Sequence, residues 1–157
     1  MKYVTRMAVI LMLPLIPLLM GSTLQASQML TIKPSTYSVS ETIDRLEAVL
    51  KKKGITIFAR VDHKAGAIKA GINMKADAQL LIFGNPNLGT PLMNENILIG
   101  LDLPMKALSW KDEKGKVWLA YVNPSELKRR HQMTKNEIFF NKMKKALNAL
   151  TNKALAH

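Results

Sequence analysis

Ala78-Gln79-Leu80-Leu81-Ile82-Phe83, cut off by Gly84-Asn85-Pro86-Asn87, is the stretch on which the fold turns. Only Gln79 interrupts the run. A continuous apolar stretch of this length, as opposed to an alternating one, predicts a strand buried on both faces. Gly84, Asn85 and Pro86 then turn the chain sharply.

Upstream, Ile55 to Val61 alternates and is rich in β-branched residues, which predicts a second strand closed by Asp62-His63. Before it, Ser38-Val39-Ser40-Glu41 has the form of a capping box, and Ile43, Leu46 and Leu50 follow at helical spacing. Lys51, Lys52 and Lys53 suit the negative end of that helix, and Gly54 stops it. Met29 to Lys33 reads as a short strand ended by Pro34, and Lys64 to Ala70 as a short helix ended by Gly71. Downstream, Thr90 is placed to cap a helix with Pro91 in its first position. Ile97 to Leu103 is apolar around Asp102 and ends at Pro104. Met105–Trp110 and Val117–Val122 form a hairpin around Asp112-Glu113-Lys114-Gly115, and Pro124 opens a helix over Ser125–Gln132.

These elements predict an α+β fold: two layers, with helices packed on a mixed β-sheet, in one domain over residues 27–132. Residues 133–157 continue as an amphipathic helix with Phe139, Met143, Leu147, Leu150 and Ala154 on one stripe. That stripe must cover something. Protein is favoured over lipid, because Asn141, Asn148 and Asn152 dilute the cationic face.

Residues 1–26 read differently. Lys2 and Arg6 precede an uncharged run from Met7 to Met20, and small residues follow up to Ala26. Basic, then apolar, then small is the order of a secretory signal peptide, which predicts a cut before Ser27 and a periplasmic or secreted protein. The run is shorter than the roughly 20 apolar residues that span a bilayer, and Pro14 and Pro17 lie inside it. The chain has no cysteine, which excludes disulfides, thiol catalysis and an N-terminal lipid on Cys. Its net charge is +12, of which Lys2 and Arg6 supply two. Such a charge suits a basic solubilising surface or a small anionic ligand; nucleic acid is a poor partner for an exported chain with few aromatics.

Four stretches carry a family resemblance: Phe58-Ala59-Arg60-Val61-Asp62-His63; Leu81-Ile82-Phe83-Gly84-Asn85-Pro86 with Gly89-Thr90-Pro91-Leu92-Met93; Leu101-Asp102-Leu103-Pro104 with Trp110; and Val117-Trp118-Leu119-Ala120-Tyr121 leading to Asn123-Pro124 and His131. In this order and spacing the chain resembles the bacterial family called domain of unknown function 302, from roughly Thr31 to Met133. The family often has Pro-Thr at Asp77-Ala78, Pro at Ile97 and Gly at Gln132, departures that leave the four motifs intact. The resemblance implies a two-layer α+β fold and no established activity.

The residues offer three functional readings. The first is a ligand-binding or accessory protein with a shallow pocket near His63, Asn85, Thr90 and Asp102, since backbone amides at a helix start, with the Thr90 hydroxyl, can receive an anion. The second is a small enzyme using His63 as acid/base, with His63 and His131 sharing a metal if their imidazoles converge. The third is a structural homodimer without a ligand. No P-loop, Gly-x-Gly-x-x-Gly or Gly-x-Ser-x-Gly pattern is present, no motif identifies a cofactor, which stays unknown at this point, and binding is favoured over catalysis. Asp102, inside an apolar run, is expected to be held by hydrogen bonds, and Trp110, Trp118 and Tyr121 are expected to pack within the hairpin.

Overall fold

The computed structural model describes residues 29–157; the expected signal peptide lies outside the described residues. Five strands, β1 (Leu30–Ser35), β2 (Thr56–Asp62), β3 (Ala78–Gly84), β4 (Met105–Lys111) and β5 (Val117–Val122), form one sheet in the order β1-β5-β4-β3-β2. Five α-helices follow the chain as α1 (Val39–Lys52), α2 (His63–Lys69), α3 (Pro86–Glu95), α4 (Pro124–Arg130) and α5 (Glu137–Leu155), with a 3-10 turn over Ile97–Leu101. The fold is α+β. One detail is corrected: the sheet is antiparallel in all four pairings, where mixed directions were expected. The physical reason lies in the connections. The β2–β3 and β3–β4 links hold short helical pieces that return the chain to the same end of the neighbouring strand, and the crossing made by α1 joins β1 to β2 at opposite edges, where the two do not pair.

Local chemistry accounts for the elements. The Ser38 hydroxyl accepts the Glu41 amide at 3.2 Å and opens α1, while Gly54 takes a φ of 67° just past its end. Asp62 caps α2 through Ala65 N–H at 2.9 Å. Strand β1 runs through Pro34 instead of stopping there, because β1 is an edge strand and Pro34 can face away from the ladder. Helix α3 starts four residues before the expected Thr90 cap: Asn85 is its N-cap and Pro86 takes the first position.

The core lies on one face of the sheet. Leu81, Phe83, Met105, Ala107, Leu119 and Tyr121 turn their side chains to α1, which contributes Ile43, Leu46 and Leu50. Helix α5 completes the cluster with Phe140, Met143, Leu147, Leu150 and Ala154. A polar tie holds it to the edge: the Lys33 ammonium on β1 donates to Asn148 Oδ1 at 2.8 Å, Thr151 Oγ1 at 2.8 Å and Asn152 Oδ1 at 2.6 Å. Partial burial pulls the Lys33 pKa below the usual lysine value.

Truncation after Gln132 should therefore remove a wall of the core and abolish the cooperative thermal transition seen by circular dichroism. Leu147→Ala should cost about 2–5 kcal/mol in denaturant unfolding, while Asn141→Ala, on the exposed side, should stay within about 0.5 kcal/mol.

Candidate functional site

The loop that ends β3 opens into a groove of about 340 Å³. Its floor is Phe83 and Met105 at adjoining ends of β3 and β4, and its flanks are Leu88 and Met93 of α3, Leu103-Pro104, and Met143, Ala146 and Leu147 of α5. Phe58 closes one end; it sits in the β-bulge where the β2–β3 register shifts between Ile57 and Ala59, and its side chain is 58% exposed. Gly84 is tight: a Cβ there would meet Phe58 Cε2 at 3.3 Å and Pro104 Cβ at 3.4 Å. The Leu103–Pro104 peptide is cis. The walls are carbon almost throughout.

Asn85 and Thr90, two of the candidates named from the sequence, have side chains in the lining of this groove. The amides expected to receive an anion at the helix start are already taken. Asn85 Oδ1 accepts the Asn87 amide at 2.9 Å, and the Asn85 carbonyl accepts the Leu88 and Gly89 amides, both at 3.0 Å. Pro86 has no amide to give. The start of α3 is thus satisfied from within, and a ligand in the groove meets apolar side chains first.

Asp102 lies outside the groove wall and makes a separate clasp. It ends the 3-10 turn, and its Oδ2 is 2.7 Å from Nε2 of His131, at the C-terminus of α4. Arg130 Nη1 donates to Asp102 Oδ1 at 2.8 Å. Asn96, which caps the 3-10 turn, donates from Nδ2 to the His131 carbonyl at 3.2 Å. Burial opposes ionisation of Asp102, but the His131 hydrogen bond and the Arg130 charge together outweigh it and hold the carboxyl below the usual carboxylate range. Expected to be held by hydrogen bonds, Asp102 takes them from side chains, because α4 brings two donors to it from 28 and 29 residues away.

His63 is elsewhere. It begins α2 after β2, at the end of the sheet where Asp62 pairs Gln79; Met105, just past Asp102, pairs Phe83 at the other end of β3. About 14 Å of strand separates Gln79 from Phe83, and both histidines lie beyond those positions, so His63 and His131 do not share a metal whose nitrogen ligands sit at about 2 Å. That expectation is corrected by the sheet topology, which two motif positions in a sequence do not reveal. Among the described residues, no three His, Cys, Asp or Glu side chains form a group that could hold a metal ion.

A second carboxylate fixes the helix that forms the groove's outer wall. Glu95, at the end of α3, accepts the amides of Thr134 at 3.1 Å and Lys135 at 2.9 Å on Oε1, and Asn136 Nδ2 at 2.9 Å on Oε2. Asn136, with φ 60°, starts α5. The Lys135 amide bond leads in holding the Glu95 carboxyl below its usual pKa.

Sequence reasoning weighed the polar residues of the motifs and passed over the apolar ones between them, Met93, Leu103 and Pro104, which build the walls. The available signal was the tail stripe, whose Met143 and Leu147 serve both core and groove.

A family model described as "Domain of unknown function DUF302" matches residues 31–150. In fold the chain is similar to the "uncharacterized conserved protein DUF302 from Bacillus stearothermophilus", with a TM-score of 0.73 and 21% identity, over 80% of this chain and 98% of that one. Two curated relatives are 50% identical over 99 residues, 63% of this chain: "Fluoride-specific ion channel FluC 1" of Brucella suis biovar 1 (strain 1330) and of Brucella abortus biovar 1 (strain 9-941). The match spans only 39% and 36% of those relatives' lengths.

Ionised Asp102 is favoured by the folded state, so its contribution to stability is complete above the unfolded carboxylate value of about 3.9 and is lost as pH falls through the lower folded value. Asp102→Asn should thus destabilise the protein by about 1–3 kcal/mol at pH 7. The gap between the two melting curves should close as the pH is taken below about 4.

Proposed function

The chain belongs to the DUF302 family, and from that premise we propose that it is an exported binding or accessory protein whose ligand lies in the groove between α3 and α5. The observation that carries this reading is the groove itself. About 340 Å³ of open space is bounded by Phe58, Phe83, Leu88, Met93, Leu103 and Met143, and lies beside the Gly84–Met93 stretch. Soluble domains close such space unless something enters it, since an apolar void forfeits both packing and dispersion contacts. The lining selects an apolar body, with Asn85 and Thr90 as the polar groups at hand for orientation. This replaces the small anion of the sequence reading with a ligand that is mostly carbon.

Two further observations support the accessory part. The curated relatives are longer proteins named as fluoride-specific ion channels, and the segment shared with this chain is the smaller part of each. No helix among the described residues is long and apolar enough to cross a membrane. The role that carries over is a module working beside a membrane protein, with the ion path left to the remainder. Export rests on the basic, apolar and small segments of residues 1–26. The enzymatic alternative at His63 draws on Asp62 and Asp77 nearby, but Asp62 is engaged by Ala65 and Gln79, and Asp77 by Lys64 and Lys111.

Titration of the purified protein with N-phenyl-1-naphthylamine, an uncharged fluorescent probe, should give saturable one-site enhancement. Ala146→Trp, which fills the groove from its half-open side, should weaken that binding at least tenfold with the melting temperature unchanged. No enhancement, or equal affinity in the variant, would remove the groove as the site. N-terminal sequencing of protein from the periplasmic fraction should begin near Ser27; full-length chain recovered in the cytosol would sink export.

A further inference from the structure

We propose that the sheet face turned away from the helices is a self-association surface, on which two copies of this chain pack sheet to sheet about a twofold axis near the middle of β4. The registers carry the argument. Val61 pairs Leu80, Leu80 pairs Leu108, Leu108 pairs Ala120, and Ala120 pairs Ile32, so one apolar row crosses all five strands. Directly opposite residues share a face. A neighbouring row on the same face sets Trp110 opposite Trp118, and a third carries Ile82 and Val122.

The helices leave this face open. The hydrophobic core draws on the alternate positions of β3, β4 and β5, and none of Leu80, Ile82, Leu108, Trp110, Trp118 or Ile32 belongs to it. At the edge strands Ile32 is 48% exposed and Val61 38%; Leu80, Leu108, Trp110 and Trp118 are half-buried among their neighbours, and the small Ala120 is buried between them. An antiparallel sheet with one face in water places polar residues on that face. This one places aliphatic and indole side chains there, which is why the run Ala78–Phe83 reads as a strand buried on both sides. Its sequence matches a second layer that the described residues of one copy do not supply.

Size and charge select the occupant. Five strands about 4.8 Å apart and roughly 20 Å long present on the order of 500 Å² in projection. Side-chain relief raises the accessible area toward the roughly 800 Å² per partner of a stable interface. Among the rows named, the paired position Lys106 brings the only charge, and its ammonium reaches back to the Asp102 carbonyl at 3.3 Å, at the end of the strand. In a chain of net charge +12, this is the surface on which two copies can meet without repulsion. An anionic membrane would be met by several flanking cations; at Trp118 there is Lys116, 4.2 Å over the ring, and it is offset by Asp112, which accepts the Trp118 Nε1–H at 2.8 Å. Since β4 is the central strand, a twofold axis beside Leu108 overlays row on row, and facing sheets settle about 10 Å apart.

The chain's two tryptophans both lie on this face and report on it directly. Light scattering on the protein from the periplasmic fraction should give twice the chain mass at micromolar concentration, and dilution should red-shift the Trp emission in step with halving of the mass. Ile32→Glu and Leu108→Lys should each shift dissociation to at least tenfold higher concentration while keeping far-ultraviolet circular dichroism and probe binding in the groove. Since the chain lacks cysteine, Leu108→Cys gives a single thiol, and a short bismaleimide should link two copies in high yield. A monomer at 100 µM, a dimer indifferent to both charged substitutions, or emission that shifts only on anionic vesicles would overturn the proposal. The groove lies on the opposite, helical side, so loss of dimerisation and loss of probe binding are separate failures.

Discussion

The apolar seam where α1 and α5 meet over Leu81 and Leu119 is the contact from which the other positions in the domain follow. Ile43, Leu46 and Leu50 come down from α1, and Phe140, Leu147 and Ala154 from α5, onto the same patch of sheet. Each of these side chains contributes about 1.5–3 kcal/mol by leaving water, against an ordering cost of similar size. The seam holds two segments that lie about 90 residues apart in the chain, so it also sets the depth of the groove. Met143 and Leu147 reach the core with one side and the groove with the other. Polar contacts refine this arrangement at its edges: Lys33 ties β1 to α5, and Arg45 donates from Nε to the Ala154 carbonyl at 2.7 Å.

Much of the fold was legible because its local signals agree with one another. The Ser38 cap, the spacing of Ile43, Leu46 and Leu50, and Gly54 specify α1 without reference to anything distant. The hairpin was equally clear, since Asp112 Oδ1 accepts the Lys114 and Lys116 amides and Gly115 supplies a φ of 79°. Strand direction was not legible. The β2–β3 connection contains one helix of seven residues, and a sequence does not say whether such a piece crosses the sheet or folds back. The start of α3 was misplaced for a related reason: Thr90-Pro91 and Asn85-Pro86 are both good openings, and the choice between them is made by where β3 ends.

The candidate site divides along the same line. The turn that holds Asn85 could be read, because Gly84-Asn85-Pro86 cuts off an apolar run. Its chemistry could not, since whether an amide is free depends on bonds such as that from Asn87 to Asn85. Asp102 and His131 meet through the packing of α4 against the 3-10 turn, a contact across 29 residues that no local pattern encodes. The open sheet face is the reverse case. There the sequence states a burial that the described residues of one copy do not complete, and Leu80 and Leu108 carry that mismatch.

Glu95 has a further consequence. By gathering the Thr134 and Lys135 amides and the Asn136 side chain, it determines where α5 leaves the loop, and so how far its Met143–Leu147 face stands from α3. The gauge of the groove is thus written in a hinge that touches no part of its lining. Two relatives with identical walls and different hinge carboxylates would have unequal apertures, so likeness of lining alone is a poor guide to which molecules each admits.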